Sequence, residues 1–336
     1  MNHYKAFTLD ELCDRLAEKK NTLIVFHARP DADAIGSAFA LRELLCAMGI
    51  PAMCACADEV PERLRFLIEP AQGSVLIEEG MELDHERVIA VDSASPNQLG
   101  SLYTLLRGDI QLMIDHHGLG TPYADGYIDP TASATGEILY TVAKRLCERG
   151  WLSSIPYRAL VAVYAAICSD TGSFRFANVT PTTFRIAAEL LEAGVEADEI
   201  CRNLYESKSQ KQIRAEGEAA RRMLVYDGGR IASTTSPYSS VYSMGLSSEH
   251  METVIDVPRS LAGVEVAFAV RQPEQKNEFR VSMRSTGELD VSAVCARFGG
   301  GGHKRASGCT VVASSIDEAE KLVLSAVREE WKKREV

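Results

Sequence analysis

The chain has 336 residues, of which 46% are hydrophobic and 25% are charged, and its formal net charge is −11. This composition is typical of a globular protein, and the length is sufficient for two domains of ordinary size. The sequence contains no run of about 18 apolar residues, which is the length that a helix needs to span a bilayer. Proteins that bind long nucleic acid usually present a net basic surface, so the acidic balance argues against that class and favours short nucleotides held in a local basic pocket.

The start of the chain and its cysteines predict a cytoplasmic protein that does not associate with a membrane. Met1–Ala6 lacks the basic start and the apolar core of a signal peptide. The nine cysteines are scattered and form no C-x-x-C pair. That spacing argues against a zinc knuckle and against a disulfide framework, and it favours reduced thiols.

The first half of the chain alternates short apolar runs with helical patterns. The predicted strands are Thr22–Phe26, Ala52–Cys56, Val75–Ile77, Val88–Val91 and Ile110–Ile114. The predicted helices are Leu9–Lys19, Ser37–Met48, Pro61–Leu67, Ala134–Arg149 and Tyr157–Cys168. Strands bounded by helices predict an α/β domain with a mostly parallel, doubly wound sheet.

The second half begins with two further predicted helices, Pro181–Ala193 and Ala197–Ser207, followed by a polar, strongly helix-forming stretch over Lys208–Arg222. From about Tyr226 the pattern changes. The predicted elements there are the strands Arg230–Thr235, Val264–Arg271 and Glu278–Arg284 and a closing helix at Ile316–Lys332. We therefore expect the doubly wound domain over residues 1–195, a helical connector over 196–225 and a smaller α+β domain over 226–336.

Acidic residues follow four of the predicted apolar segments at the point where each segment ends, and histidines are close to two of these positions. The residues are Asp31 and Asp33 with His27 before them, Asp92, Asp115 with His116 and His117, and Asp170. Because ligands collect outside the carboxyl ends of the strands in an open parallel sheet, we expect these side chains to converge in one crevice.

Such a convergence of carboxylates needs compensating positive charge. Two carboxylates about 4 Å apart repel by roughly 4 kcal/mol at an effective dielectric constant of about 20, and here at least four would meet. Protonation or bound cations would relieve this repulsion, and the adjacent imidazoles favour cations. A mixed oxygen and nitrogen ligand set suits Mn²⁺ better than Ca²⁺ or structural Zn²⁺. An acid shared by two ions is typical of two-metal hydrolytic sites.

Each of these motifs also has a purely structural explanation. The pair Asp31 and Asp33 could cap the helix predicted from Ser37. The stretch Asp115-His116-His117 is weak evidence by itself, and Asp170-Thr171-Gly172 could be a turn. Because the motifs occur together, in this order and each at the end of an apolar segment, they favour a metal site over separate structural roles.

The motifs resemble those of the DHH phosphoesterases. The matching stretches are His27-x-x-Pro30-Asp31-x-Asp33-x-x-Gly36-Ser37, Asp92, Asp115-His116-His117 and Ser169-Asp170-Thr171-Gly172. The second domain resembles the DHHA1 module through FGGGGHKRASG at Phe298–Gly308. The likeness covers nearly the whole chain. It implies a phosphoesterase with two bound Mn²⁺ ions, other divalent cations being the alternative.

The resemblance also implies a role for each acid and histidine of these motifs. It assigns one Mn²⁺ to His27, Asp31 and Asp92, and the other to Asp33, Asp92, His116 and Asp170, with Asp92 bridging the ions. Asp115 would orient an imidazole, and His117 would face the scissile phosphate. The expected catalytic residues are therefore Asp92, Asp115 and His117.

Four consecutive glycines, Gly299–Gly302, lie inside the second predicted domain. Such a run is often a flexible hinge, but backbone amides without side chains can also form an anion-binding nest. The strand Glu278–Arg284 places Arg280, Ser282 and Arg284 on one face, which is either a solvated surface or a basic binding face. The resemblance to DHHA1 proteins implies that the glycine loop and the strand hold the nucleotide end of the substrate. The expected binding residues are Arg280, Arg284, Gly300, Gly301, Gly302 and His303.

The resemblance narrows the substrate to short nucleotides. RecJ-type exonucleases carry additional domains for long single strands, and family II pyrophosphatases have a different second domain. The compact layout of this chain is similar to that of NrnA-type nanoRNases. This implies Mn²⁺-dependent hydrolysis of short oligoribonucleotides, and of linear dinucleotides such as pApA and pGpG, to mononucleotides. It also implies hydrolysis of 3′-phosphoadenosine 5′-phosphate (pAp) to AMP.

Three alternatives to this function stay open. One is a stand-alone phosphodiesterase for cyclic dinucleotides such as c-di-AMP, and another is a RecJ-like single-strand exonuclease. The third is an inactive nucleotide-binding protein, whose expected signature, a missing metal ligand, does not occur in this sequence. A homodimer is compatible with the sequence.

Overall fold

The computed structural model describes residues 4–68, 74–76, 85–106, 108–118 and 120–333. The chain forms two compact units, an N-terminal unit that ends at Ser207 and a C-terminal unit that begins at Lys208. This division falls inside the predicted connector 196–225. The helix at Ala197–Cys201 packs within the N-terminal unit, and the helix at Gln210–Arg221 packs within the C-terminal unit. The predicted domain limits at residues 195 and 226 stay predictions.

The N-terminal unit is built on a sheet of six strands. They are β1 (Thr22–Phe26), β2 (Ala52–Cys56), β3 (Ser74–Leu76), β4 (Arg87–Val91), β5 (Leu112–Asp115) and β6 (Gly126–Ile128). Their order in space is β3-β2-β1-β4-β5-β6, and all neighbours are parallel. The order reverses between β1 and β4. In open α/β sheets, ligands bind in the crevice outside the carboxyl ends of the strands at such a point.

Helices cover both faces of this sheet. They are α1 (Leu9–Ala17), α2 (Ala32–Ala47), α3 (Ser101–Leu105), α4 (Thr135–Glu148), α5 (Tyr157–Asp170), α6 (Pro181–Glu192) and α7 (Ala197–Cys201), with 3₁₀ turns at Glu62–Leu67 and Pro96–Leu99 and a π turn at Arg202–Glu206. Ile24 and Phe26 of β1 belong to the core that includes α2, α4 and α5. Leu23 and Val25 point to the opposite face and pack in the core with Leu102 of α3. The predicted doubly wound, parallel α/β domain is confirmed.

The C-terminal unit contains a mixed sheet of six strands. They are β7 (Leu224–Tyr226), β8 (Ile231–Ser236), β9 (Val266–Arg271), β10 (Glu278–Ser285), β11 (Gly301–His303) and β12 (Ala306–Val312). Their order is β11-β12-β10-β9-β8-β7, in which β8 and β9 run parallel and the other neighbours run antiparallel. Mixed pairing of this kind is typical of an α+β domain.

Helices also pack on both faces of the second sheet. They are α8 (Gln210–Arg221), α9 (Tyr238–Ser243), α10 (Asp256–Arg259), α11 (Val291–Ala296) and α12 (Ile316–Lys332). Phe268 and Met283 point into the core formed with α11 and α12. Ala267 and Ala269 point into a second core, formed with α8 and the segment around Val254. The predicted smaller α+β domain is confirmed. The closing helix α12 begins and ends at the predicted residues, Ile316 and Lys332.

The predicted start of the second helix, at Ser37, is wrong by five residues. Helix α2 begins at Ala32, because the side chain of Asp31 caps it by accepting hydrogen bonds from the amides of Asp33 and Ala34, at 3.0 Å each. Asp33 therefore lies in the first turn of the helix and not in the loop before it. Its direction is fixed by the helix.

Other elements also differ from the prediction: β12 (Ala306–Val312) was not predicted, and the helix predicted over Pro61–Leu67 is a 3₁₀ helix over Glu62–Leu67. Strand β6 is only three residues long and was not predicted, although it pairs with β5 along its full length. Strand β5 begins at Leu112, two residues after its predicted start. The predicted strand Val75–Ile77 extends to a residue outside the described ones. All nine cysteines are free thiols.

Candidate metal centre

Acids and histidines from separate parts of the N-terminal unit meet outside the carboxyl ends of β1, β4 and β5. The loop after β1 supplies His27 and Asp31, α2 supplies Asp33, the loop after β4 supplies Asp92, the end of β5 supplies Asp115, His116 and His117, and α5 supplies Asp170. The predicted convergence is therefore present. Asp33 and Asp170 reach it from helix ends, which differs from the strand ends that supply the others.

The acids and histidines form two groups that share Asp92. In the first, Nε2 of His27 lies 3.7 Å from Oδ1 of Asp31 and 3.6 Å from Oδ2 of Asp92. In the second, Nε2 of His116 lies 3.7 Å from Oδ2 of Asp33, 3.5 Å from Oδ2 of Asp170 and 3.7 Å from Oδ1 of Asp92. Asp31 and Asp33 thus belong to different groups, and the two oxygens of Asp92 face one group each.

The hydrogen bonds of the two imidazoles fix which nitrogen faces the acids. Nδ1 of His27 lies 2.9 Å from the carbonyl oxygen of Ala28, and Nδ1 of His116 lies 3.3 Å from that of Ala132. A carbonyl oxygen only accepts hydrogen bonds, so in the neutral imidazole Nδ1 carries the hydrogen and Nε2 carries the lone pair. The lone pair of each Nε2 points at carboxylate oxygens, which also carry lone pairs. A cation between the imidazole nitrogen and the carboxylate oxygens would accept electrons from both.

Burial increases the need for that cation. The side chains of Asp33 and Asp92 are almost fully buried. Burial, followed by the charge of Asp92, raises the pKa of Asp33 to about 7. Partial burial and the neighbouring carboxylates also raise the pKa of Asp170 well above its ordinary value. Burial lowers the pKa of His27, but the carboxylates of Asp31 and Asp92 outweigh it and raise that pKa. These raised pKa values mean that the cluster favours added positive charge, which a bound cation supplies.

Asp92 adopts a backbone conformation that few residues with side chains tolerate. Its φ is +51°, in the left-handed region, where a non-glycine residue pays roughly 1–2 kcal/mol. Its amide donates a hydrogen bond to the carbonyl oxygen of Ile114, at 3.0 Å, which holds the turn against β5. This conformation at the end of β4 places the carboxylate between the two groups.

Thr135 and Gly136, at the start of α4, hold two of the acids and were not predicted as site residues. The amides of Thr135 and Gly136 donate hydrogen bonds to Oδ2 and Oδ1 of Asp33, at 2.8 and 3.0 Å. The hydroxyl of Thr135 donates to Oδ1 of Asp92 at 2.9 Å. The amino end of a helix favours a carboxylate. The signal in the sequence is the polar stretch Ser133-Ala134-Thr135-Gly136 directly before a helical pattern.

Asp115 contacts the backbone and one imidazole. Its Oδ1 accepts hydrogen bonds from the amides of His116 and His117, at 2.8 and 3.2 Å, and lies 2.7 Å from Nδ1 of His117. The carboxylate is thereby fixed by the backbone and in turn fixes the ring of His117. This geometry agrees with the expected orienting role of Asp115.

In the C-terminal unit, the expected binding residues of β10 and β11 lie in neighbouring rows of the sheet. His303 pairs with Ala306, which pairs with Arg284. Gly301 pairs with Gly308, which pairs with Ser282. Arg280 is exposed and lies farther along β10, opposite Thr310. The register thus brings the glycine loop, His303 and Arg284 to one end of the sheet.

Arg284 is half-buried, and its guanidinium donates to the carbonyl oxygen of Met283 at 2.9 Å. None of the ion pairs between described residues includes Arg284, and burial lowers its pKa. A desolvated guanidinium next to small residues such as Ala267 and Ala306 can bind an anion bidentately.

Two neighbouring glycines of the loop differ in what the fold requires of them. A Cβ atom on Gly300 would lie 2.2 Å from the carbonyl oxygen of Gly308, so the packing of the loop against β12 excludes any side chain. A Cβ atom on Gly301 would have no heavy atom within 4 Å among the described residues, and φ of Gly301 is not in the left-handed region. The fold therefore does not explain why residue 301 is a glycine.

Comparison with known proteins supports the family resemblance. The DHH family N-terminal domain matches residues 21–167, and the DHHA1 domain matches residues 237–329. The bifunctional oligoribonuclease and PAP phosphatase NrnA of Thermus thermophilus is 31% identical over 91% of this chain and 89% of that protein. The chain belongs to the DHH family. The DHH domain match includes all the acids and histidines of the metal centre except Asp170.

Two further similarities bear on the fold and on the range of activities in the DHH family. The cyclic-di-AMP phosphodiesterase GdpP of Geobacillus thermodenitrificans is 26% identical over 95% of this chain, which spans about half of that protein. The crystal structure of an exopolyphosphatase-related protein from Bacteroides fragilis aligns with a TM-score of 0.87 at 22% identity, over 96% of this chain and 95% of that one. That likeness shows a shared fold. Within the described residues, no helix combines the length and the apolar character that crossing a membrane requires.

Proposed function

We propose that this DHH family hydrolase cleaves short oligoribonucleotides, and linear dinucleotides such as pApA and pGpG, to mononucleotides, and also converts pAp to AMP. The proposal rests on one observation. Nε2 of His27 and Nε2 of His116 each face a group of carboxylates, and Asp92 belongs to both groups. The acidic net charge supports a short substrate. The similarity to the NrnA protein of Thermus thermophilus, over about nine-tenths of both chains, supports the oligonucleotide and pAp activities.

In this proposal the two groups hold two divalent ions. His27, Asp31 and Asp92 hold the first ion, and Asp33, Asp92, His116 and Asp170 hold the second. Oxygen and imidazole ligands without thiolates favour Mn²⁺. When bound, such ions lower the pKa of water and neutralise charge on phosphoryl oxygens.

The other residues of the centre orient the ligands and the substrate. Thr135 and Gly136 fix the carboxylates of Asp33 and Asp92 through hydrogen bonds, so that neither side chain has to change its orientation when an ion binds. Asp115 holds the ring of His117 with Nδ1 directed at its carboxylate, which leaves Nε2 on the opposite side of the ring to contact the scissile phosphate. We assign His117 to stabilising charge that develops on that phosphate.

The C-terminal unit holds the nucleotide end of the substrate in this proposal. Arg284 supplies a desolvated cation, and Arg280 supplies an exposed one. Gly300, Gly301, Gly302 and His303 form the loop around the anion. The unexplained glycine at position 301 supports close approach of a ligand to the backbone.

Hydrolysis of cyclic di-AMP is a second candidate function. It is favoured by the similarity to the GdpP protein, which extends over 95% of this chain. The same metal centre could cleave either a linear or a cyclic phosphodiester, since both present the same phosphoryl group to the ions. The two candidates therefore differ in how the nucleotide is held, which depends on the C-terminal unit.

A substrate panel separates these functions. The purified chain is incubated with Mn²⁺ and, in separate reactions, with pApA, an RNA of about five residues, pAp, cyclic di-AMP and a long single-stranded RNA. We expect mononucleotides from pApA and the short RNA, and AMP from pAp. Faster cleavage of cyclic di-AMP than of pApA would favour the second candidate. Digestion of the long strand as fast as pApA, or no product at all, would contradict the proposal.

Two variants test the assignment of residues. Asp92→Ala should lower turnover by more than about 100-fold, because both groups lose a ligand oxygen, whereas Asp198→Ala, on an exposed surface of the same unit, should not change it. Gly301→Ala should raise KM without lowering stability, whereas Gly300→Ala should lower stability because of the close contact with Gly308. An unchanged KM in Gly301→Ala would contradict the claim that the substrate approaches the backbone at residue 301.

A further inference from the structure

Helix α6 carries apolar residues on two of its faces. One face is buried in the core of the N-terminal unit and includes Ile186 and Leu190. The other face is exposed and consists of Phe184, Ala188 and Leu191. These exposed side chains lie in one row, because residues three and four positions apart are neighbours on a helix. Phe184 is 56% exposed and Leu191 is 51% exposed, so the row offers a contiguous apolar surface.

The ring of Phe184 is held in a fixed position on this surface. It stacks on the ring of Phe174, with the two centroids 5.6 Å apart and the ring planes inclined by 24°. Because one side of the ring is already packed, Phe184 loses little side-chain freedom when a partner covers its exposed side. A rigid aromatic side chain with a large exposed area is typical of the residues that anchor protein–protein interfaces.

Two opposite charges lie on the same side of the apolar row. Arg185 and Glu192 each follow one of the large apolar residues, and a spacing of seven residues places both on one side of the helix. They are about 10 Å apart along the helix axis, whereas ion pairs within a helix form between residues three or four positions apart. Among the described residues, no ion pair includes either of them, and the guanidinium of Arg185 donates to the hydroxyl of Thr182 at 3.4 Å.

A second copy of α6 complements this pattern when it runs antiparallel and is related by a two-fold axis at Ala188. Phe184 lies four residues before Ala188 and Leu191 lies three after it, so each aromatic ring meets the leucine of the other copy. Arg185 lies three residues before the axis and Glu192 four after it, so these charges meet as well. The two-fold axis keeps both charges on the same side of the helix pair. The small side chain of Ala188 permits close approach of the helices.

We propose that the chain forms a symmetric dimer through the exposed face of α6. Phe184 packs on Leu191 of the other copy. Arg185 pairs with Glu192 of the other copy. In such an interface the same surface serves both copies, so it complements itself. An unrelated partner would not require opposite charges at nearly equal distances from Ala188, and the pattern therefore favours a second copy. This inference goes beyond the proposed function and does not depend on it.

Sedimentation velocity of the full chain over about 1–100 µM tests this without any turnover. We expect the wild type to change from monomer to dimer in this range, because a contact of one helix per copy is at the low end of interface size. Ala188→Glu inserts a bulky charge where the helices are closest and should leave only monomer. Ala220→Glu, at an exposed alanine of α8, is the matched control and should associate as the wild type does.

An exchange of charges tests the ion pair across the axis. Arg185→Glu should weaken the dimer about tenfold, because both of its ion pairs become repulsive contacts. Arg185→Glu combined with Glu192→Arg should restore the affinity of the wild type, since each pair forms again with its charges exchanged. Association that stays weak in the double variant would overturn this pairing.

Two results would overturn the dimer itself. A wild type that stays monomeric up to about 100 µM would leave the face for a different partner. A dimer that Ala188→Glu leaves intact would place the contact between copies elsewhere. None of these measurements involves hydrolysis of pApA, so failure of the proposed function is distinguished from failure of this inference. Melting temperatures equal to that of the wild type confirm that each variant is folded.

Discussion

Oδ1 of Asp115 lies 2.7 Å from Nδ1 of His117 and accepts hydrogen bonds from two successive amides as well. The backbone thus holds the carboxylate that holds the imidazole. Since an ionised carboxylate only accepts hydrogen bonds, Nδ1 carries the hydrogen, and the ring has one orientation and one neutral tautomer.

Asp115→Asn should lower kcat by about 10–100-fold, because a neutral amide oxygen accepts the hydrogen bond from Nδ1 of His117 more weakly than a carboxylate does and no longer favours the charged ring. Burial lowers the pKa of His117, but the bond to Asp115 and the charge of Asp92 outweigh it and raise that pKa. Steady-state kinetics with pApA, together with calorimetry of Mn²⁺ binding, provide the measurement. Asp109→Asn, on the surface of the same unit, is the control. Loss of Mn²⁺ binding in proportion to kcat would show that Asp115 acts on the ions instead.

Asp170→Asn should make the metal-free protein more stable and the Mn²⁺-loaded protein less stable. Partial burial and the carboxylates of Asp33, Asp31 and Asp92 raise the pKa of Asp170, so its charge is unfavourable without a cation. Melting temperatures measured in EDTA and in Mn²⁺ should move in opposite directions, and Asp198→Asn should change neither. A lower melting temperature in EDTA would mean that the carboxylate stabilises the fold by itself.

Asn178→Leu should weaken Mn²⁺ binding by about tenfold. The amide nitrogen of Asn178 donates to the carbonyl oxygens of Asp170 and Ser133, at 3.1 and 2.9 Å, which ties the end of α5 to the segment that leads into α4. These two hydrogen bonds thereby fix the position of Asp170 relative to the amides of α4 that bind Asp33. Because the ligands themselves remain, activity should return at high Mn²⁺, which kinetics at several Mn²⁺ concentrations measures. Asn277→Leu, in the other unit, should show no such dependence.

The sequence predicted the sheet better than the site geometry. The limits of β1 and β2 were correct to the residue, since continuous apolar runs bounded by polar residues define buried parallel strands. The start of α2 was wrong, because the capping role of Asp31 depends on backbone angles that no hydrophobic period reveals. Strand β6 is too short to produce a periodic signal.

The convergence of the acids and histidines that follow β1, β4 and β5 was predictable, because parallel strands bring their carboxyl ends to one edge of the sheet. Asp33 and Asp170 reach the same place from helix ends instead, and the roles of all these residues stay predictions. Thr135 and Gly136 were missed because they act partly through backbone amides, and amides leave no trace in residue type. One oxygen of Asp92 faces each group because its backbone is in the left-handed conformation, which the sequence alone does not specify.

Gly36→Ala should lower the free energy of unfolding by about 1–3 kcal/mol. A Cβ atom on Gly36 would lie 2.5 Å from the carbonyl oxygen of Ala162, so α2 and α5 would have to separate. Gly217→Ala, in the middle of α8, meets no atom within 4 Å and should raise stability by about 0.5–1 kcal/mol through helix propensity. Urea unfolding measures both. Equal effects of the two substitutions would contradict the close contact between α2 and α5.

Glu218→Gln should remove a contribution to stability that depends on pH. Hydrogen bonds from Arg221, together with one from Arg222, lower the pKa of Glu218 to about 2, and the donor atoms lie 2.6–2.7 Å from its oxygens. A lowered pKa means that the ionised folded form is favoured. The contribution is therefore complete above the ordinary pKa of 4.5 and disappears as the pH falls towards about 2. Exposure of Arg221 limits it to about 1 kcal/mol or less.

Urea unfolding of the wild type and of Glu218→Gln between about pH 2 and pH 7 tests this pH dependence. The difference in unfolding free energy should be largest above about pH 5, should shrink in the acid range, and should fall at high salt because the pair is partly exposed to solvent. Glu288→Gln, an exposed substitution in the same unit, is the control and should show no difference at any pH. A Glu218→Gln difference that stays constant across the pH range would mean that the side chain acts through packing and not through its charge.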